Sequence, residues 1–143
     1  RNTDIRQKSV DRLISLGARF ANLIHPDISI KYLREIGEGN IIFGGSQLYP
    51  GVTIGSHNMF LSNVSIGHDS TIGSFTFAGH GVVVNGHCTI GDACFLGSGC
   101  QILPDILLHK KTLVSNGAVM MQSTMEEGMR YFGNPARAFR KAD

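Results

Sequence analysis

The chain has 143 residues, of which 42% are hydrophobic and 17% charged, and its formal net charge is +2 at pH 7. These values are typical of one folded domain; they do not fit a disordered chain, and the small charge argues against nucleic acid as the main partner. No apolar run approaches the ~20 residues of a membrane span, and the polar opening RNTDIRQKSVDR is unlike a signal peptide. The three cysteines provide no disulfide framework and fit a reducing compartment, so we expect a cytoplasmic protein.

The first predicted element is a helix over residues 3–20. Val10, Leu13, Ile14 and Ala18 recur at helical spacing on one face, and Gly17 indicates where the helix ends. This pattern predicts an amphipathic helix. Residues 1–25 therefore form a first segment, consisting of the helix and a junction that leads into the run NLIHP.

A six-residue repeat occupies the middle of the chain. An apolar residue returns at every sixth position without a break: Ile36, Ile42, Leu48, Ile54, Phe60, Ile66, Ile72, Ala78, Val84, Ile90, Leu96, Ile102, Leu108, Val114 and Met120. The fourth residue after each of these is small or β-branched almost throughout, from Asn40 to Thr124. Glycine often follows the apolar residue directly, as in Ile66-Gly67, and we expect it to supply the backbone angles of tight corners.

A period of six fits neither an α-helix nor the two-residue alternation of an ordinary strand. It fits a short strand followed by a tight turn, and three such units close a triangular coil of eighteen residues. We therefore predict an all-β solenoid, a parallel β-helix of about five coils over residues 26–124, with the apolar residues in its interior. Residues 125–143 are predicted to form an irregular C-terminal tail.

These repeats resemble those of the hexapeptide-repeat acetyltransferases, whose fold is a left-handed parallel β-helix. The helix followed by LIHP resembles the junction in the narrower PglD/NeuD-type group, which acetylates nucleotide-linked amino sugars or sialic acid. In that group a nucleotide-binding subdomain precedes the helix; no glycine-rich strand-to-helix loop precedes it here, so we expect this sequence to lack that subdomain. The resemblance implies transfer from acetyl-CoA to an amine or hydroxyl of a sugar, by a homotrimer.

The segment IGHDSTIG at residues 66–73 is similar to the family motif that carries the general base. The resemblance makes His68 the base and Asp69 the residue that holds it, and an outward imidazole can accept a proton near neutral pH. Gly86 lies eighteen residues further on, one coil above His68, where the resemblance places the amide that binds the oxyanion. The alternative to a catalytic His68 is a solvated turn histidine. The alternative for Gly86 is a corner glycine needed only for its backbone angles. Ser70 stands where the group often has cysteine, and we interpret this change as packing.

The resemblance also implies which residues contact coenzyme A. Six residues outside the base motif stand at matching positions: Phe77, Ser98, Asn116, Lys110, Pro135 and Arg137. Phe77 is expected near the acetyl group, and Ser98 and Asn116 along the pantetheine arm. The residues expected near the nucleotide are Lys110, Pro135 and Arg137. Further positive charge for the phosphates is expected from Lys111, Arg140 and Lys141. The segment GNPAR at residues 133–137 resembles the one that closes over coenzyme A in the family.

No metal is expected. The zinc-binding γ-class carbonic anhydrases share this coil but need a close His-x4-His pair, which the sequence lacks. The remaining turn histidines are therefore predicted to be exposed: His57, His80, His87 and His109. A six-residue spacing sends the cysteines to three different corners as small core residues: Cys88, Cys94 and Cys100. A catalytically silent trimeric scaffold remains the alternative to an enzyme, followed by a carbonic-anhydrase-like zinc lyase.

Overall fold

The computed structural model of the protein describes residues 2–139, and residues 1 and 140–143 lie outside this range. Within the described range, one α-helix, α1 (Asn2–Ser15), precedes eighteen short strands. The strands are β1 (Leu23–Ile24), β2 (Glu35–Ile36), β3 (Ile41–Ile42), β4 (Gln47–Leu48), β5 (Thr53–Ile54), β6 (Met59–Phe60), β7 (Ser65–Ile66), β8 (Thr71–Ile72), β9 (Phe77–Ala78), β10 (Val83–Val84), β11 (Thr89–Ile90), β12 (Phe95–Leu96), β13 (Gln101–Ile102), β14 (Leu107–Leu108), β15 (Leu113–Val114), β16 (Val119–Met120), β17 (Arg130–Phe132) and β18 (Arg137–Phe139). No helix among the described residues is long and apolar enough to span a membrane.

The strands stack into a left-handed parallel β-helix with three sheets. Sheet A has the order β1-β3-β6-β9-β12-β15-β17-β18, sheet B the order β2-β5-β8-β11-β14, and sheet C the order β4-β7-β10-β13-β16. Strands one coil apart pair in parallel at an offset of eighteen residues, as Ser65 with Val83 and Ile66 with Val84. Because β1 and β17 extend sheet A at its two ends, the solenoid has about six turns rather than about five, and its pairing begins before residue 26 and continues beyond residue 124.

The interior of the prism is filled as the hexads predict. The second residue of each strand from β5 to β16 is buried, and Phe60 is among the largest side chains that are completely enclosed. Each buried aliphatic side chain contributes roughly 1.5–3 kcal/mol, so this narrow column is a sufficient core. The residues four positions further on are buried as well. Some of them join the coils by hydrogen bonds, since Asn58 N–H donates to Asn40 Oδ1 (2.9 Å) and Thr76 N–H to Asn58 Oδ1 (2.8 Å).

The corners use the left-handed backbone conformation at a different position from the one predicted. The third residue after each core position has a positive φ from Gly39 to Gly117, including Asp69 at 55°. The glycines that directly follow the core residue, such as Gly67, lie outside that region. A Cβ on Gly67 would come within 2.5 Å of the nitrogen of Gly86, so close stacking of the coils requires glycine there. The predicted reason for these glycines was therefore wrong, because the missing side chain, and not the backbone angle, selects them.

Three columns of corners run along the prism, and each takes its name from the sheets it joins. The C–B corner contains residues 49–52, 67–70, 85–88, 103–106 and 121–124; the A–C corner contains residues 43–46, 61–64, 79–82, 97–100 and 115–118; the B–A corner contains residues 37–40, 55–58, 73–76, 91–94 and 109–112. In a triangular prism, the C–B corner lies opposite the outer face of sheet A. That face is apolar from β1 to β15, where the first residues of the strands are Leu23, Ile41, Met59, Phe77, Phe95 and Leu113.

Helix α1 is shorter than predicted, and only part of its apolar face is buried. It ends at Ser15 rather than near residue 20, and Gly17 follows with a φ of 84° and donates its N–H to the carbonyl of Ile14. Val10 is buried, whereas Leu13 and Ile14 are 45% and 47% exposed. The apolar face of this helix is therefore only partly buried in the single chain.

The C-terminal segment closes the last coil. Strand β17 pairs in parallel with β15, and β18 turns back antiparallel on β17. Between these two strands, Ala136 N–H donates to the carbonyl of Val119, and Val119 N–H donates to the carbonyl of Gly133. The tail that was predicted to be irregular thus contains a β-hairpin that continues sheet A.

Candidate active site

His68 and Asp69 occupy the C–B corner between β7 and β8. Their side chains are 57% and 43% exposed, and His68 Nδ1 lies 3.0 Å from Asp69 Oδ2. Since an ionised carboxylate only accepts hydrogen bonds, Nδ1 carries the hydrogen, and the lone pair of the neutral ring is on Nε2. The left-handed backbone of Asp69, with a φ of 55°, allows these neighbouring side chains to meet.

Gly86 lies one coil above His68 on the same corner. A Cβ built on Gly86 would be 2.7 Å from His68 Nε2, so the imidazole lies directly against this glycine. The φ of Gly86 is outside the left-handed region, and a need for unusual backbone angles therefore does not explain the residue. The absence of a side chain at position 86 gives the ring of His68 its room.

The N–H of Gly86 has no hydrogen-bond acceptor among the described residues. At four other corners the equivalent N–H donates to a side-chain oxygen eighteen residues further on: Glu38 to Ser56, Ser56 to Ser74, Ser74 to Asp92 and Ser98 to Asn116. The residue eighteen beyond Gly86 is Pro104, whose side chain has no acceptor. One free backbone donor therefore lies beside the imidazole, which is the arrangement that an oxyanion site requires.

The buried side chain of Ser70 connects two adjacent coils at this corner. Its buried hydroxyl donates to the carbonyl of Asn85 (2.9 Å) and accepts from the N–H of Cys88 (3.0 Å). These two bonds join the coil of His68 to the coil of Gly86. Ser70 is therefore an interior residue, as predicted, and it also fixes the distance between the two coils.

The carboxylate of Asp69 faces several groups that carry or can carry positive charge. Arg34 approaches it from two coils earlier, with Nη2 3.5 Å from Asp69 Oδ1. The hydrogen bond with His68 is the largest cause that lowers the pKa of Asp69, and the charges of His68, His87 and Arg34 lower it further. Asp69 is consequently ionised at neutral pH and can hold His68 in one tautomer.

His87 belongs to the same corner, and the sequence reasoning gave it no role at this corner. Its ring meets the ring of His68 edge-on, with 4.8 Å between the centroids and 87° between the planes. The N–H of His87 donates to the carbonyl of His68 (3.0 Å), which fixes the two residues on adjacent coils. The signal was present in the sequence, because His87 follows Asp69 by the same eighteen residues that separate Gly86 from His68.

The residues predicted to contact the acetyl group and the pantetheine arm do not meet His68 within one chain. Phe77 is on the outer face of sheet A, opposite the C–B corner, and stacks on Phe95 with 5.0 Å between the ring centroids. Ser98 and Asn116 are on the A–C corner, where the N–H of Ser98 donates to Asn116 Oδ1 (3.0 Å). A site that uses these residues together with His68 needs a second chain.

The residues predicted near the nucleotide lie toward the C-terminal end. Pro135 and Arg137 line a cavity of ≈ 420 Å³ together with residues 120–123, 125, 131, 136 and 138. Residues 121–123 of this lining belong to the C–B corner, the column that carries His68. Lys110 is on the B–A corner, with Nζ 3.0 Å from the carboxylate of Glu127. The predicted cations at positions 140 and 141 lie outside the described residues.

Two of the histidines predicted to be exposed have structural roles. His57 is 5% exposed, stacks on Phe75 with 5.0 Å between centroids, and meets Phe20 edge-on at 4.8 Å. Burial is the largest cause that lowers the pKa of His57. His109 is half-buried, with Nδ1 2.8 Å from Thr124 Oγ1. The prediction of exposed turn residues was therefore wrong for these two histidines.

The three cysteines are free and buried, as predicted for small core residues. Cys88, Cys94 and Cys100 lie at three different corners. Burial raises the pKa of the Cys94 and Cys100 thiols to about 12. A thiol of such high pKa is a poor nucleophile and a poor metal ligand at neutral pH.

Comparisons with known proteins agree with this architecture. Residues 69–104 match the family described as bacterial transferase hexapeptide (six repeats). No curated protein sequence matches the chain. Solved structures with the same fold include the acetyltransferase domain of PglB from Neisseria gonorrhoeae, at 23% identity and a TM-score of 0.91. A second is PerB from Caulobacter crescentus in complex with CoA and GDP-perosamine, at 24% identity and a TM-score of 0.91. A third is WeeI from Acinetobacter baumannii, at 24% identity and a TM-score of 0.83.

Each of these three alignments covers 96% of the chain, and the chain spans 66–67% of the solved structures, about two thirds of their length. The chain thus carries hexapeptide repeats and has the fold seen in these three structures. The resemblance drawn from the sequence motifs is confirmed at the level of the fold.

Proposed function

We propose that the chain is an acetyl-CoA-dependent acetyltransferase that acetylates an amine or a hydroxyl of a sugar, with His68 as general base. The position of the His68 ring carries the proposal: Asp69 holds Nδ1, and Nε2 lies against Gly86, whose N–H is free. The known structures support the donor, because the N. gonorrhoeae PglB domain was solved with acetyl coenzyme A. They also support a histidine, because the C. crescentus perosamine N-acetyltransferase was solved as variants with one histidine replaced by asparagine or alanine.

In the proposed reaction, His68 Nε2 removes a proton from the acceptor while the acceptor's oxygen or nitrogen bonds to the thioester carbonyl carbon. The carbonyl oxygen becomes negatively charged and accepts a hydrogen bond from the N–H of Gly86. The C–S bond then breaks, its electron pair leaves with the sulfur of coenzyme A, and the imidazolium returns its proton to that thiolate. Asp69 stabilises the imidazolium in between. Transfer is direct, and no covalent intermediate forms on the protein.

We further propose that neighbouring subunits of a homotrimer complete the donor site. Phe77, Ser98 and Asn116 point away from the His68 of their own chain but are available to the His68 of a neighbour. The apolar outer face of sheet A supports such a contact, because a monomer leaves Phe95 39% exposed to water. Pro135, Arg137 and Lys110 are proposed to bind the nucleotide end of coenzyme A, through charge and through the cavity beside the C-terminal hairpin.

A nucleotide-linked amino sugar is the class of acceptor that we propose. The support is the C. crescentus PerB structure, which holds GDP-perosamine together with CoA. The three free cysteines favour a reducing compartment, and we therefore propose a cytoplasmic location.

The test compares His68→Ala with His25→Ala. His25 is a suitable control because it also pairs with an aspartate, Asp27, and its side chain is 51% exposed. Release of the coenzyme A thiol is followed with nucleotide-linked sugars that offer either an amine or a hydroxyl. We expect His68→Ala to lower kcat by roughly 10²–10⁴-fold without changing the midpoint of thermal unfolding, and His25→Ala to match the wild type.

Two results would contradict the proposal. Unchanged turnover in His68→Ala would show that this residue is not the base. A wild-type protein whose unfolding midpoint does not respond to acetyl-CoA, and which transfers no acetyl group, would be a scaffold rather than a transferase.

A further inference from the structure

We propose that the C–B corner binds Zn²⁺ through His68, Asp69 and His87, and that the bound ion inhibits the proposed reaction. In the part of the chain that the structure describes, these three form the one group of three or more potential metal ligands whose donor atoms all lie within 4.8 Å of one another. The group does not follow the His-x4-His pattern considered in the sequence, because its third member comes from the next coil. The ion would be an inhibitor and not a cofactor.

Two of the three ligand atoms already have a spacing that suits a metal ion. His68 Nδ1 and Asp69 Oδ2 are 3.0 Å apart. Two ligands of a tetrahedral Zn²⁺, with bonds of about 2.0–2.1 Å, are separated by about 3.3 Å. An ion can therefore replace the hydrogen between these two atoms after a small shift of exposed side chains.

His87 supplies the third ligand. The hydrogen bond from its N–H to the carbonyl of His68 fixes the two backbones on adjacent coils, and the rings are already in contact. All three side chains are exposed, so the rings can turn toward a shared ion and water can take the fourth position. Two imidazoles and one carboxylate suit Zn²⁺, whereas Mg²⁺ and Ca²⁺ prefer oxygen ligands.

Binding at Nδ1 would remove the base. A neutral imidazole has one nitrogen with a free lone pair. When Zn²⁺ takes the lone pair at Nδ1, the hydrogen of the ring is on Nε2, which can then no longer accept a proton from the sugar. Asp69 changes at the same time from a hydrogen-bond acceptor to a metal ligand. The inhibition rests on the proposed function, whereas the binding does not.

Isothermal titration calorimetry with Zn²⁺ tests the binding on the intact chain, on His87→Ala and on His25→Ala. The last variant is a matched control, because His25 has an aspartate partner but does not belong to the group of three. We expect about one Zn²⁺ per chain in the wild type and in His25→Ala, and binding weakened by about tenfold or more in His87→Ala. Equal Zn²⁺ affinity in the wild type and His87→Ala would overturn the site. An equal loss of Zn²⁺ affinity in His87→Ala and His25→Ala would overturn it as well.

The second measurement separates this inference from the proposed function. If metal-free wild type transfers acetyl groups, Zn²⁺ should lower the rate in proportion to its occupancy, and His87→Ala should resist the same concentration. Stoichiometric binding with an unchanged rate would overturn the inhibitory role. A metal-free protein without turnover would contradict the proposed function, and calorimetry would still decide whether the site exists.

Discussion

The ring of His68 and the backbone of Gly86 are in direct contact across two coils. A Cβ at position 86 would lie 2.7 Å from Nε2 and 3.0 Å from Cε1 of His68, a separation that ordinary side-chain contacts do not reach. Even the smallest side chain at this position must therefore displace the imidazole. Gly86 would thus serve the proposed reaction in two ways, because it places the base and offers a free N–H.

Gly86→Ala is accordingly expected to lower kcat by about 10²-fold, the loss that a misplacement of about 1 Å can cause. Stability should change little, because the φ of Gly86 lies outside the left-handed region that disfavours alanine. Gly44→Ala is the matched control: it occupies the same hexad position on the A–C corner, and its Cβ would meet the ring of His25 at 3.3 Å. Steady-state kinetics and thermal unfolding of both variants provide the test. A Gly86→Ala variant with the kcat of the wild type would contradict the prediction that contact with Gly86 places His68 for the reaction.

Pro104 is predicted to keep the N–H of Gly86 free. Pro104→Ser places a hydroxyl where four other corners have a side-chain acceptor, whereas Pro104→Ala does not. A new hydrogen bond of about 0.5–1.5 kcal/mol would have to break before the amide binds the oxyanion, so kcat of the serine variant should be roughly two- to tenfold below that of the alanine variant. The comparison uses kcat and KM for acetyl-CoA. Equal kcat values for the two variants would argue against this amide as the oxyanion donor.

Phe95→Glu tests the proposed trimer. The substitution introduces a charge into the apolar outer face of sheet A, and we expect the trimer to dissociate and activity to fall with it. Thr89→Glu is the control, because Thr89 is also the exposed first residue of a strand, β11, but lies on sheet B. Size-exclusion chromatography with light scattering gives the mass. A Phe95→Glu protein that remains trimeric would exclude this face, and a monomeric wild type would exclude the trimer.

His57 predicts a dependence of stability on pH. Burial lowers its pKa, and Arg6 lowers it too, while Glu38 and Asp11 raise it by less than burial lowers it. The unfolded chain therefore binds a proton at this residue more readily than the folded chain, so the free energy of unfolding should fall as the pH drops below about 6.5, the value for an unperturbed histidine. Above that pH both states are neutral at His57, and the effect vanishes.

The variant His57→Phe isolates this effect from the other histidines. It keeps an aromatic ring against Phe75, and a phenylalanine tolerates the left-handed backbone, since Phe75 itself has a φ of 58°. Urea unfolding at about pH 7.5 and about pH 5 should show a larger loss of stability in the wild type than in the variant. Parallel losses in the two proteins would mean that His57 does not titrate as its burial implies.

The sequence predicted the solenoid well because its signal is repeated. Fifteen apolar positions in one register are hard to satisfy with any other fold, and each carries the same local physics of a short strand and a turn. The corners were harder to predict. Phe75 and Lys111 adopt a left-handed conformation that their residue types rarely visit, because stacking on the neighbouring coils overrides the local preference.

The candidate site was predictable only where it is local or follows the coil period. His68 and Asp69 are adjacent in the chain, and Gly86 follows from the offset of eighteen residues. The same offset, applied to Asp69, would have identified His87. The residues expected to bind coenzyme A, such as Phe77, lie on other sides of the prism, because a motif does not indicate which chain of an assembly supplies each contact.

The stacking of the coils also sets fixed distances along the axis of the prism. Positions 68, 86, 104 and 122 rise along the C–B corner by one strand spacing each, about 4.8 Å. The base and the cavity that Gln122 lines are therefore roughly 14 Å apart along the axis. Gain or loss of one coil would change this length by a whole step and leave the chemistry of each corner intact. The length of the donor that such a protein accepts can thus change through the gain or loss of eighteen residues. The residue that acts as the base need not change with it.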